Sequence, residues 1–83
     1  MKSNPKKYYL VITELIYRLR INAGLTQTQL AEKLNSPQSY ISKIESGERR
    51  LDLIELRELC RALNTNLIEF TTMLEAELNG TEP

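Results

Sequence analysis

Two residues, Asn35 and Ser36, are all that separate Leu34 from Pro37, and that gap restricts this chain more than any other feature of it. On its N-terminal side, Thr26 with Gln29 three residues later reads as a capping box that opens a helix. Leu30, Ala31 and Leu34 follow at helical spacing. On its C-terminal side, Ser36 reads as an N-cap and Pro37 as a first-turn proline, whose fixed φ and missing N–H suit a helix start. Ile41 and Ile44 then mark a buried stripe that stops at Gly47. So short a link cannot lay two helices antiparallel along their lengths, and it favours a steep crossing. Asn35 is among the few non-glycine residues that tolerate the left-handed backbone such a corner needs.

The remaining segments read the same way. From Tyr8, apolar residues recur at Ile12, Leu15, Ile16, Leu19 and Ala23, and Gly24 supplies the left-handed residue that ends a helix. Asp52 with Glu55 caps a fourth helix, inward at Leu53, Leu56, Cys60 and Leu63 and ended by Asn64. Asn66 with Glu69 opens a fifth, inward at Leu67, Phe70 and Leu74 and running to about Leu78. No stretch alternates with period two for long enough to make a strand. The expected fold class is all-α. Residues 1–7, polar and basic, read as a flexible arm, residues 8–70 as the domain proper, and residues 71–83 as a helical extension and tail.

Composition narrows the function classes. Eighty-three residues make one domain with a single modest core. A lone cysteine, Cys60, and the absence of histidine rule out an internal disulfide and a Cys/His metal site, and remove the commonest general base. No enzyme activity and no cofactor are expected. With no apolar run near the roughly 20 residues that span a bilayer and no secretory leader, the chain is expected in the cytoplasm, away from membrane. Net charge is zero, but residues 1–50 hold nine Lys/Arg against four Asp/Glu, and residues 51–83 hold two against seven. Such segregation can turn a basic face towards phosphates, and it is also what chance leaves on a soluble helical surface.

The outer face of the third helix follows by subtraction. With Ile41 and Ile44 inward, Gln38, Ser39, Ser42 and Lys43 point out. Gln can pair bidentately with adenine, Lys can donate to guanine acceptors, and Ser serves a base or a phosphate. A merely solvated face would more often carry Glu/Lys pairs at spacing four. Two short crossed helices, the second amphipathic, are the unit that sets a helix in the major groove.

The run from Leu19 to Leu34, with Gln27-Thr28-Gln29-Leu30-Ala31 at its centre, then Pro37 to Gly47, Arg49-Arg50-Leu51-Asp52 and Ala62-Leu63-Asn64, resembles the Xre/Cro/C1 family of bacterial and phage regulators over about residues 14–70. The resemblance implies a five-helix bundle of the lambda-repressor-like type, with the helix-turn-helix at 27–46. It also implies double-stranded DNA as ligand and a homodimer on a pseudo-palindromic operator, as in a transcriptional repressor. By position it gives Gln38, Ser39 and Lys43 as base-reading residues. Gln27, Arg49 and Arg50 become backbone contacts, with Gln27 also bracing the recognition helix, and Tyr40 falls beside the backbone or a thymine methyl. Ser42, outward by subtraction, is expected at the backbone. Arg20 and Glu45 match a pair that forms a largely buried salt bridge. Asn35 departs from the glycine common at that corner.

Leu67, Phe70, Met73, Leu74 and Leu78 exceed what a small core needs from one helix. Either the stretch closes the monomer, or part of it, at Phe70, Met73, Leu74 and Leu78, forms a two-fold interface, which is the expected reading. Tyr8, Tyr9 and Tyr17 read as core or rim of the first helix, and Cys60 as core filler. For Lys2, Lys6 and Lys7, phosphate contact and plain solvation both stay open. The rival function is a protein-interaction module of the same fold, such as an antitoxin, whose main partner is a toxin or other protein docked on the leucine-rich end.

Overall fold

A computed structural model describes residues 5–81, as five helices: α1 (Pro5–Asn22), α2 (Gln27–Lys33), α3 (Gln38–Ser46), α4 (Leu53–Ala62) and α5 (Leu67–Thr81). No strand occurs among the described residues, and the fold class is the expected one. The core draws one or more residues from every helix: Leu15 and Ile16, Leu30 and Ala31, Ile41 and Ile44, Leu59 and Cys60 with Leu63 just beyond, and Phe70. Burying this many aliphatic side chains, at about 1.5–3 kcal/mol each, is the main force holding helices too short to persist alone.

Three of the helix ends use one device. Gly24, Asn35 and Asn64 sit at φ +73°, +53° and +63°. After each, the next amide reaches back to the carbonyl five residues earlier: Leu25 to Arg20 at 3.2 Å, Ser36 to Ala31 at 2.9 Å, and Thr65 to Cys60 at 2.9 Å. This double-bonded left-handed C-cap satisfies the last carbonyls and turns the chain sharply. Asn35 therefore does the work of the glycine more usual at the corner. At the helix starts, Thr26–Gln29 and Asp52–Glu55 are both complete capping boxes. At the start of α5 only half the box forms. Asn66 Oδ1 accepts from the Glu69 amide at 2.9 Å, while the Glu69 carboxylate accepts from Thr65 Oγ1 at 2.7 Å.

Several sequence expectations need correction. The first helix begins at Pro5, so the arm expected over residues 1–7 is helical at its last three positions, and residues 1–4 lie outside the described residues. Ser36 does not cap α3. The N-cap is Pro37, with extended backbone, and the Ser36 hydroxyl turns back to donate to the Leu34 carbonyl at 3.1 Å. Leu53 has the right helical phase for the core but sits in the first turn of α4 and is 64% exposed; Leu59, absent from the expected inward set, is buried instead. Helix α5 runs on to Thr81.

Phe70 is the fifth correction. It is wholly buried within the single chain, the largest side chain of the core. A group with no exposed surface cannot also face a second subunit. Met73 and Leu74 are half-buried against the same core, and Leu78 is also half-buried.

Cys60 is buried, and burial pushes its thiol up to about 11. The thiolate is the reactive form, so the folded protein is expected to resist iodoacetamide at about pH 8 while the urea-unfolded chain is alkylated promptly. Intact mass at timed quenches reads this directly, and rapid labelling of the native protein would contradict so closed a core.

Candidate nucleic-acid interface

The geometry of α3 is set from beneath. Ile41 and Ile44 are fully buried, which fixes the rotation of the helix and leaves Gln38, Ser39 and Lys43 exposed on its far side. Ser42 is half-buried, beside Thr13 and Tyr17 of α1 in a shallow groove between the two helices. Of the four residues expected to point outward, three do so fully.

Glu45, on the flank of α3, meets Arg20 near the end of α1. Arg20 Nε donates to Glu45 Oε2 at 2.6 Å and its second terminal nitrogen to Oε1 at 3.0 Å; both side chains are under 10% exposed. The hydrogen bond to Glu45 is the main cause that raises the Arg20 pKa further above its ordinary value, against desolvation. Arg20 also donates to the Leu25 carbonyl at 2.9 Å, and lies 5.3 Å from the centre of the Tyr17 ring. The pair expected from family resemblance is therefore present, bidentate and buried.

The network continues to the surface. Gln27, the first residue of α2, donates from Nε2 to Glu45 Oε1 at 3.0 Å, and its Oε1 accepts from Gln38 Nε2 at 2.6 Å. A chain of polar contacts thus runs from the buried guanidinium through Glu45 and Gln27 to Gln38, the first residue of α3. Gln27 holds the bracing place expected of it. Gln38 is exposed yet tethered, with its amide carbonyl unengaged by any protein donor in this network.

The two arginines after α3 differ sharply. Arg49 is gripped by Glu55, at 2.7 and 3.3 Å, donates to the Arg50 carbonyl at 2.7 Å, and stacks over the Tyr40 ring at 4.9 Å. Its hydrogen bond to Glu55 is the main cause that lowers the Glu55 pKa. Much of Arg49's charge and donor capacity is therefore spent inside the protein. Arg50 is exposed and lies over the ring of Tyr9 at 4.7 Å. Tyr40, half-buried under Arg49, packs against the core, and burial is the main cause that raises its phenol pKa.

Sequence reasoning did not find two members of this loop. Tyr9 reaches it from α1 across more than forty residues, and Glu55 serves both as cap partner of Asp52 and as anchor of Arg49. The Asp52–Glu55 spacing signalled only the first of Glu55's roles. Nothing local in the sequence signals Tyr9's part.

A family model for helix-turn-helix proteins, HTH_3, matches residues 16–70. A curated relative from Sinorhizobium fredii, described as an uncharacterized HTH-type transcriptional regulator, y4dJ, is 36% identical over 64 residues, 77% of this chain and 83% of its own. Among solved structures, an XRE-family-like protein from Pseudomonas syringae pv. tomato superposes with a TM-score of 0.80 at 41% identity, over 86% of this chain and 87% of that one. The restriction-modification controller protein C.Esp1396I superposes at 0.79 with 31% identity, over 86% and 93%. The same controller is known as a tetramer in complex with its natural 35 base-pair operator, and that form superposes at 0.77 over 84% and 92%.

Removing one partner of the buried pair strands a charge in the core. Glu45→Ala is expected to destabilise the fold by about 3–5 kcal/mol, whereas an apolar pair, Arg20→Met with Glu45→Leu, should recover most of that loss. Urea titrations of the three proteins would measure it. A Glu45→Ala variant as stable as the parent would show that the pair does not hold α1 to α3.

Proposed function

The chain belongs to the Xre-type helix-turn-helix family of transcriptional regulators, and from that premise we propose that it is a sequence-specific repressor that binds a pseudo-palindromic duplex operator as a homodimer. The observation that carries this reading is the outer face of α3. It exposes Gln38, Ser39 and Lys43, and the helix beneath them is fixed by two buried isoleucines and by the polar chain through Gln27. An amide, a hydroxyl and one ammonium, held at fixed rotation, suit hydrogen bonding to base edges in a major groove. The expected absence of an enzyme activity accords with a family of DNA-binding regulators.

In this reading the roles divide. Gln38, Ser39 and Lys43 choose sequence. Gln27, Ser42 and Arg50 meet the phosphate backbone and contribute affinity without choice. Arg49 and Tyr40, assigned to the backbone by resemblance, serve it indirectly. Their stacked pair, locked by Glu55, gives the loop its shape so that Arg50 is presented outward. Salt sensitivity then rests on Arg50 and the lysines rather than on Arg49.

Lys43→Ala is expected to flatten the preference between operator and random duplex, by about 1–3 kcal/mol if its contact is lost. Arg50→Ala should weaken both duplexes alike and lower the salt slope by about one unit. Fluorescence anisotropy at several salt concentrations, on an operator selected from random sequence, separates the two. Equal losses on both duplexes for both variants would show that α3 does not read bases.

The two-fold partner, in this reading, covers the α5 side, a reading supported by Ile68, 78% exposed next to a groove lined by Leu19, Leu63 and Met73. Exposed branched apolar side chains of this kind mark surfaces that gain by being covered. A homodimer would also set two recognition helices about one DNA turn, roughly 34 Å, apart. Ile68→Glu is expected to shift sedimentation equilibrium towards monomer and to weaken operator binding cooperatively. An unchanged mass would move the interface elsewhere.

A further inference from the structure

We infer that Tyr9, in the first helix, is a positioning residue for DNA-backbone contact: it fixes the loop at residues 49–51 and presents the Arg50 guanidinium to phosphate. The inference rests on the DNA-binding reading above. The Tyr9 hydroxyl both accepts and donates. It receives the Leu51 amide at 3.1 Å and donates to the Arg49 carbonyl at 3.4 Å. One side chain thereby clamps the main chain on both sides of Arg50. Its ring lies under the Arg50 guanidinium, 4.7 Å from centre to carbon.

Stacking and hydrogen bonding use different parts of a guanidinium. The cation rests its flat face on the ring, while its N–H groups radiate in the plane and stay free for a phosphate. Arg49 shows the contrast, since its in-plane donors are taken by Glu55 and by the Arg50 carbonyl. Two adjacent arginines on aromatic rings, Arg49 on Tyr40 and Arg50 on Tyr9, have thus been given opposite duties. The first is closed by a carboxylate and shapes the loop, and the second is left open.

Tyr9 also restricts what Arg50 would otherwise explore. A long exposed arginine loses rotamer freedom when it binds a phosphate, and stacking on a half-buried ring removes part of that cost in advance. Nearby, Leu10 lies 3.7 Å from where a Cβ on Gly47 would stand, so the start of α1 covers the exit of α3 as well. The first helix thereby contributes to the binding surface without touching the groove.

The test is a double-mutant cycle on DNA affinity, with Tyr9→Leu and Arg50→Ala alone and combined, and Tyr9→Phe as the conservative variant. Tyr9→Leu is expected to weaken duplex binding roughly two- to fivefold, the scale of a lost exposed cation–π contact, and to cost nothing further once Arg50 is alanine. Tyr9→Phe, keeping the ring, should retain part of the affinity, again only while Arg50 is present. Equal losses with and without Arg50 would overturn the inference, for Tyr9 would then act on the fold alone.

Should Tyr9→Leu fail to fold, the same cycle with Tyr9→Phe carries the test. Free of DNA, the Arg50 Nε–H resonance should be shifted upfield by the ring in the parent and in Tyr9→Phe, and an unshifted resonance in the parent would also refute the placement. Failure of the parent to bind any duplex at low salt would instead refute the DNA-binding reading itself, with the resonance shift still reporting on the clamp.

Discussion

The Arg20–Glu45 ion pair is the constraint on which the arrangement of the first three helices depends. It joins the end of α1 to the flank of α3, and Arg20 also holds the Leu25 carbonyl, which fixes the chain where it enters α2. Taking two charges out of water is costly, and the attraction between them repays this only if the remaining polar capacity is also met. Here it is met. Glu45 accepts from both Arg20 and Gln27, and among the described residues no buried side-chain polar atom lacks a partner. An apolar pair at these positions could be as stable. It would not dictate the rotation of α3 about its own axis as a bidentate fork does, because hydrophobic contact is non-directional.

Rotation matters because a recognition surface is defined by which residues face out. A turn of α3 by one residue's worth of angle would bury Gln38 or expose Ile41. The isoleucines resist that through lost burial, and the fork resists it through lost hydrogen bonds. The left-handed Asn35 sets the other variable, the direction in which α3 leaves α2. Local chemistry at three points thereby positions a surface that none of them belongs to.

That logic also explains what could be read from sequence and what could not. The Thr26–Gln29 and Asp52–Glu55 caps, the Asn35 corner and the α3 stripe are local rules, written within four residues of where they act, and they appear in the structure as read. The Ser36 cap does not form, and the Asn66–Glu69 box forms only by half. Arg20 and Glu45 lie 25 residues apart, and only family resemblance pointed to their pairing. The misreadings of the core have one cause. Phase along a helix tells which side a residue is on, but not whether a neighbour covers it. Leu53 has core phase with nothing over it, and Phe70 has core phase with the whole bundle over it, so one is exposed and the other cannot serve an interface. Tyr9 escaped because its partners are main-chain groups 40 and 42 residues away, which no side-chain pattern announces.

The polar chain gives the three outward residues of α3 unequal freedom. Ser39 and Lys43 touch no part of the buried network, so exchanging them alters what the helix presents and leaves its support intact. Gln38 is different: its amide N–H is bound to Gln27, which is bound to Glu45. Replacing Gln38 therefore changes what the helix presents and loosens the brace together, and the two effects would not separate additively. On this scaffold the outer face of α3 can be varied most cheaply at Ser39 and Lys43, while Gln38 is held by an obligation to the fold. Of the three, the side chain tied through Gln27 to the buried charge is the one least free to change.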